Sequence, residues 1–187
     1  EALVAHSPNR LVLIDEAYFG FGAASAVSLI KQYDNLLITR SFSKSHALAG
    51  LRVGYALAHA NLVEGLRRVK DSFNSYPVDA YAQCVATAAV SDSAWFSEAS
   101  AAVKENRAEL VAGLAQLGFS VLPSQANFVL ASHPEHTGVA FTEYLKSRNI
   151  LVRSWSGDDL LPWVRITVGT KEQQARLLGA LAEYLNG

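Results

Sequence analysis

The chain has 187 residues, with 16 Lys and Arg against 17 Asp and Glu, a net charge of -1, and 50% hydrophobic residues. This composition excludes a disordered chain. With no dense Lys/Arg run and no uninterrupted apolar stretch of about 18 residues, neither nucleic-acid binding nor a membrane-spanning helix is expected.

Leu11, Val12, Leu13 and Ile14 form a continuous apolar run that stops abruptly at Asp15 and Glu16. Leu36, Leu37, Ile38 and Thr39 repeat the pattern, and 53–57 repeats it more weakly. Apolar runs without alternation suit strands buried on both faces, as in a parallel sheet flanked by helices. Between the first two lies a helix candidate over 25–33. From Asn61 the period becomes helical, with Leu62, Leu66 and Val69 on one stripe. Asn61 and Glu64 are spaced as a capping box.

An Ala-rich segment over 79–90 reads as a buried helix. The spacing predicts a longer helix over 94–117, stopped by Gly118. Short strands and helices then alternate: strands over 120–122, 127–131, 150–153 and 164–168, and a helix over 138–147. A last helix starts at Thr170, with Gln173 completing a capping box and Leu178, Leu181 and Leu185 as its buried stripe. The expected division is a strand–helix region over 1–92 and a smaller α+β unit over 93–187.

One cysteine, Cys84, excludes an internal disulfide framework and a cysteine-based zinc site, in keeping with a reducing, cytoplasmic setting. The histidines make no His-x-x-x-His pair, so no metal is expected. The sequence has no methionine and opens at Glu1 without a signal segment, and the expectation is a fragment of a longer protein.

The residues suited to chemistry cluster early. Asp15 ends a buried strand, where open α/β sheets bind ligands, and Tyr18 follows three residues later. On position alone the plainer reading is favoured: Asp15 caps a turn and Tyr18 is a half-buried aromatic. Ser41, Ser43, Lys44 and Arg52 fall within twelve residues, flanked by apolar sequence. A desolvated lysine there gains a nucleophilic amine, and the hydroxyls with the arginine suit a phosphate. The plain alternative for Lys44 is a surface lysine in a polar loop.

Asp15-Glu16-Ala17-Tyr18, Ser41-Phe42-Ser43-Lys44 and the segment Ala49-Gly50-Leu51-Arg52-Val53-Gly54-Tyr55 together resemble the core of fold-type I pyridoxal-phosphate (PLP) aminotransferases. Within that superfamily the chain is most similar to histidinol-phosphate aminotransferases. Asn74-Ser75-Tyr76-Pro77, Asn127-Phe128 and Arg165-Ile166-Thr167-Val168-Gly169-Thr170 extend the likeness over nearly the whole chain. The resemblance implies an α/β fold: part of the large, mostly parallel PLP-binding domain, then a small C-terminal α+β domain.

It also implies roles. Lys44 is the lysine that joins PLP as an imine and later shuttles the proton. Asp15 pairs with the pyridine nitrogen, keeping the ring an electron sink. Tyr18 hydrogen-bonds the ring's phenolate oxygen, and Ser41, Ser43 and Arg52 bind the cofactor phosphate. Arg165 holds the substrate's anionic group, Arg153 shares a substrate phosphate, and Asn127 stands near the site.

Three positions depart from the family pattern. Gly20 replaces a frequent acidic residue, His46 a small or aromatic one, and Asp79 other polar residues. These affect substrate choice more than cofactor. The resemblance begins in the middle of the family's large domain, so the chain corresponds to a C-terminal half. The glycine-rich turn, the ring-stacking aromatic and a tyrosine reaching the partner subunit belong to the preceding half.

The expected activity is transamination of histidinol phosphate with 2-oxoglutarate, in a homodimeric full-length enzyme acting on small amino-acid and phosphate substrates. The alternatives are an aromatic or broad amino-acid aminotransferase, a threonine-phosphate decarboxylase, or a folded but inactive fragment that binds only cofactor or a complementary half. The 187 residues alone are expected to be inactive.

Overall fold

The computed structural model describes all 187 residues, which form two compact units, Glu1–Ala99 and Ser100–Gly187. The boundary falls inside one long helix.

The first unit opens with a helical turn, α1 (Ala2–Ala5), and then β1 (Val12–Asp15). β2 (Leu36–Ser41) and β3 (Gly54–Ala58) complete a sheet of order β1-β2-β3. β1 and β2 are parallel, and β2 and β3 antiparallel. The sheet is therefore mixed. The β2–β3 connection holds only one 3₁₀ turn, Ala49–Leu51, and no helix to carry a parallel crossover.

The central strand behaves as its apolar run predicts: Leu36, Leu37 and Ile38 are all buried. β1 differs. Val12 is buried, but Leu13 is 54% exposed, because β1 is an edge with one face uncovered in this chain. Val4, Val12, Leu36 and Ile38 form the core, with Ile14, Leu29, Ile30, Tyr33 and Leu57 packed against it.

Three helix expectations change. The segment over 25–33 is only a 3₁₀ helix, Val27–Lys31. α2 (Ala60–Phe73) is capped by His59, whose Nδ1 accepts from the Asn61 amide, rather than by Asn61. Glu64 does not reach back to the cap but pairs with Arg67 and Arg68. α3 (Ala80–Ser91), capped by Asp79, buries only Ala82 and Ala86 and leaves Tyr81 and Val90 exposed. An Ala-rich stretch gives helix propensity, but burial depends on what packs against it.

α4 (Ser93–Gln116) runs from the first unit into the second. It ends in a Schellman motif: Gly118 sits at φ 82°, and the Phe119 amide donates to the Leu114 carbonyl. The second unit then contains β4 (Ser120–Val121), β5 (Phe128–Ser132), α5 (Gly138–Ser147), β6 (Arg153–Ser154), β7 (Trp163–Thr167) and α6 (Lys171–Asn186). Its sheet has the order β4-β5-β7-β6 and is antiparallel throughout.

β5 and β7 bury alternate residues, so one face meets the core. That core joins Leu110, Leu114, Phe141, Leu145, Val164 and Ile166 with Leu177 and Leu181. The expected strand over 150–153 shrinks to Arg153–Ser154. Asn149 takes a left-handed conformation (φ 57°), and the Ile150 amide is spent on the Leu145 carbonyl at the end of α5. Thr170 and Gln173 form the expected capping box. The buried stripe of α6 is Leu177, Ala180 and Leu181, with Leu178 and Leu185 at its margin. No helix is long and apolar enough to cross a membrane.

Candidate active site

β1 and β2 run parallel and β3 runs back, so the carboxyl ends of β1 and β2 meet the amino end of β3. Asp15, Ser41 and the segment leading into β3 therefore lie at one end of the sheet. Tyr18, Ser43, Lys44 and Arg52 are on the loops leaving and entering that end.

Asp15 is exposed and opposite Thr39 in register. Its Oδ1 accepts from the Ala17 amide at 3.0 Å and from the Thr39 hydroxyl at 3.3 Å. Its Oδ2 is left without a hydrogen bond. Thr39 is a site residue the sequence reading missed. The signal was available, since parallel pairing of two apolar runs places it beside Asp15.

Lys44 is exposed, with Nζ 5.9 Å from the centroid of the Tyr18 ring, and it pairs with no carboxylate. The desolvation expected for it is absent in this chain. Phe42 and Ser45 turn inward and are buried, which sends Lys44 outward. Ser41 Oγ accepts from the Ser43 amide at 3.0 Å, closing a tight turn just before Lys44. Arg52 has φ 55° and donates through Nη1 to the Ala49 carbonyl at 2.9 Å.

His46 packs against Phe42 and Phe96, at 5.0 and 5.1 Å between ring centroids, and its Nδ1 lies 3.1 Å from Ser45 Oγ. Burial pushes its pKa below the usual value.

The remaining expected residues belong to the second unit. Arg153 and Arg165 are direct cross-strand partners on β6 and β7. The Arg165 guanidinium stands 4.7 Å from the centroid of the Phe128 ring, and that of Arg153 5.5 Å from Trp155. Asn127 precedes β5, and its carbonyl accepts from the Val168 amide at 2.9 Å, extending the β5–β7 ladder. The structure thus places six expected residues on the first unit and three on the second.

His133, Glu135 and His136 have ligand atoms within 4.8 Å of one another. Their spacing is not the His-x-x-x-His pattern, so the sequence reading passed over them.

Histidinol-phosphate aminotransferase of Acetobacter pasteurianus is 54% identical over 183 residues, 98% of this chain and 51% of that protein. Histidinol-phosphate aminotransferase of Sinorhizobium meliloti, solved in complex with pyridoxal-5'-phosphate, shares the fold at a TM-score of 0.85 and 24% identity. That likeness covers 99% of this chain and 52% of the other. L-threonine-O-3-phosphate decarboxylase of Porphyromonas gingivalis matches at a TM-score of 0.84 and 26% identity, over 100% of this chain and 58% of its own. The chain spans about half the length of the curated relatives it matches. With a match that runs over residues 1–181, the chain belongs to the family of class I and II aminotransferases.

Proposed function

We propose that the protein containing this chain is a PLP-dependent aminotransferase that converts histidinol phosphate and 2-oxoglutarate to imidazole acetol phosphate and glutamate, a step of histidine biosynthesis. The observation that carries the reading is the end of the first sheet. There the Lys44 amine lies 5.9 Å from the centroid of the Tyr18 ring, and Asp15, with one carboxylate oxygen free of hydrogen bonds, ends β1 at the same end of the sheet. The relatives named histidinol-phosphate aminotransferase support the substrate.

The donor set fits PLP. Lys44 supplies the amine that holds the cofactor's aldehyde carbon. Asp15, whose Oδ1 already accepts from the Ala17 amide and the Thr39 hydroxyl, would pair with the pyridine nitrogen. The Tyr18 hydroxyl serves the ring oxygen, and Ser41, Ser43 and Arg52 supply donors for the phosphate. PLP, when bound, supplies an electron sink for the pair released as a substrate Cα–H bond breaks. Lys44 Nζ would take the proton from that carbon and deliver it to the cofactor's aldehyde-derived carbon, the shift that transamination requires. Asp15 keeps its partner nitrogen protonated through the cycle. Arg165 holds the substrate's carboxylate or phosphate, Arg153 shares the phosphate, and Asn127 borders the substrate.

On this reading 1–92 belongs to the PLP-binding domain and 93–187 is a smaller C-terminal domain. The full-length enzyme is a cytoplasmic homodimer, and the 187 residues alone do not transaminate.

The test is borohydride reduction of the full-length, PLP-loaded protein followed by peptide mapping, with assays on three substrates. A pyridoxyl group on Lys44 and turnover of histidinol phosphate with 2-oxoglutarate are expected. Label on another lysine refutes the site. Preference for an aromatic amino acid, or CO₂ release from threonine phosphate, refutes the substrate.

A further inference from the structure

Asp15 and Thr39 share one face of the β1–β2 pair. Strand alternation sends the next residues, Glu16 and Arg40, to the other face, where they form an ion pair. Arg40 Nη2 lies 2.9 Å from Glu16 Oε2, and the two side chains are only 11% and 9% exposed. Arg40 Nε donates to Glu16 Oε2 at 2.9 Å and Nη2 to Ser25 Oγ at 2.7 Å. Ser25 donates back to the Glu16 carboxylate, which also accepts from the Ala26 amide at 2.7 Å. Glu16 and Ser25 are the two ends of the loop that carries Tyr18. The Arg40 guanidinium also lies 3.5 Å from the centroid of the Phe19 ring, which stacks on Phe96 at 5.7 Å. Phe19 is the residue after Tyr18.

One part-buried arginine thus fastens both ends of the 16–25 loop and one ring in its middle. The fork geometry matters. A lysine offers a point charge, but cannot donate to Glu16 and Ser25 in one plane while stacking on Phe19. A buried network satisfied in this way holds a single loop conformation.

We propose that Arg40, acting through Glu16, Ser25 and Phe19, is a positioning residue that sets where Tyr18 and Asp15 stand relative to Lys44. It touches neither substrate nor cofactor. The inference rests on the PLP reading above.

The test uses the full-length enzyme and the variants Arg40→Met, Arg40→Lys and Ser25→Ala, each alone and combined with Tyr18→Phe. In Arg40→Met, kcat is expected to fall about tenfold or more while KM stays within about threefold. The pH midpoint of the bound cofactor's visible absorbance should move by more than about half a unit. Arg40→Lys should recover only part of both effects, and Ser25→Ala should show a smaller change in the same direction.

In the Tyr18→Phe background, the Arg40 effect on the pH midpoint should largely vanish, since both changes act on the same phenol. Full additivity with Tyr18→Phe, or a wild-type midpoint and kcat in Arg40→Met, overturns the proposal. If Arg40→Met does not fold, Ser25→Ala decides by the same midpoint and the same cycle. Failure of the PLP reading looks different: the wild-type protein then carries no pyridoxyl group on Lys44.

Discussion

Arg153 stands directly opposite Arg165 across the β6–β7 ladder. Directly opposed residues have Cβ atoms about 4.5–5.5 Å apart, and like charges there repel. Each guanidinium is laid against its own aromatic ring, Trp155 for Arg153 and Phe128 for Arg165. A doubly charged phosphate offsets the repulsion of such a pair better than a single carboxylate does.

The two arginines should therefore separate by substrate. Arg165→Ala is expected to lower kcat/KM for both glutamate and histidinol phosphate, and Arg153→Ala for histidinol phosphate alone. Loss of one hydrogen-bonded charge is worth about 1.5–3 kcal/mol, or roughly 10- to 100-fold. Steady-state kinetics of each half-reaction in the full-length enzyme measures this. Equal losses with glutamate in both variants would remove Arg153 from phosphate recognition.

Thr39 gives a second test. Its hydroxyl and the Ala17 amide share Asp15 Oδ1. Thr39→Val keeps the shape and removes one donor to a carboxylate, a change of about 1–3 kcal/mol. Turnover in the full-length enzyme should fall about tenfold, with near-normal thermal stability. Unchanged turnover would show that the amide alone orients Asp15.

His46 makes stability depend on pH in a definite direction. Its folded pKa lies below the ordinary value of 6.5 because it is buried among Phe42, Phe96 and Ser45. Above that ordinary value both folded and unfolded states are neutral there, and nothing is lost. As pH falls through it, the unfolded state binds the proton first, so stability drops until the folded histidine also protonates. Urea unfolding at about pH 7.5 and about pH 5.5 should show a larger loss in the wild type than in His46→Phe. An equal loss in both would refute the assignment.

Two glycines should respond oppositely to alanine. A Cβ on Gly138 would run into the Trp163 carbonyl, so Gly138→Ala is expected to cost about 1–3 kcal/mol or more. Gly179, inside α6, has open space around it, and Gly179→Ala should stabilise the helix by about 0.5–1 kcal/mol. Thermal melts of both variants test the packing of the second unit.

The roles of Asp15, Tyr18, Lys44 and Arg52 are implied by the family resemblance; sequence alone determined the local features: the apolar run of β2, the Gly118 stop and the Thr170–Gln173 capping box. Each depends on residue type and spacing within a few positions, where steric and hydrogen-bonding rules act directly. Tertiary structure decided the rest. Burial of Leu13 and of α3 depends on what covers a face, and no periodicity records that. The sense of β3 depends on how its connection folds. The exposure of Lys44 depends on what covers it, and the Thr39 bond to Asp15 and the Arg40–Glu16–Ser25 network join residues 9 to 24 positions apart. Only strand register brings such residues together, because it is set by the sheet as a whole.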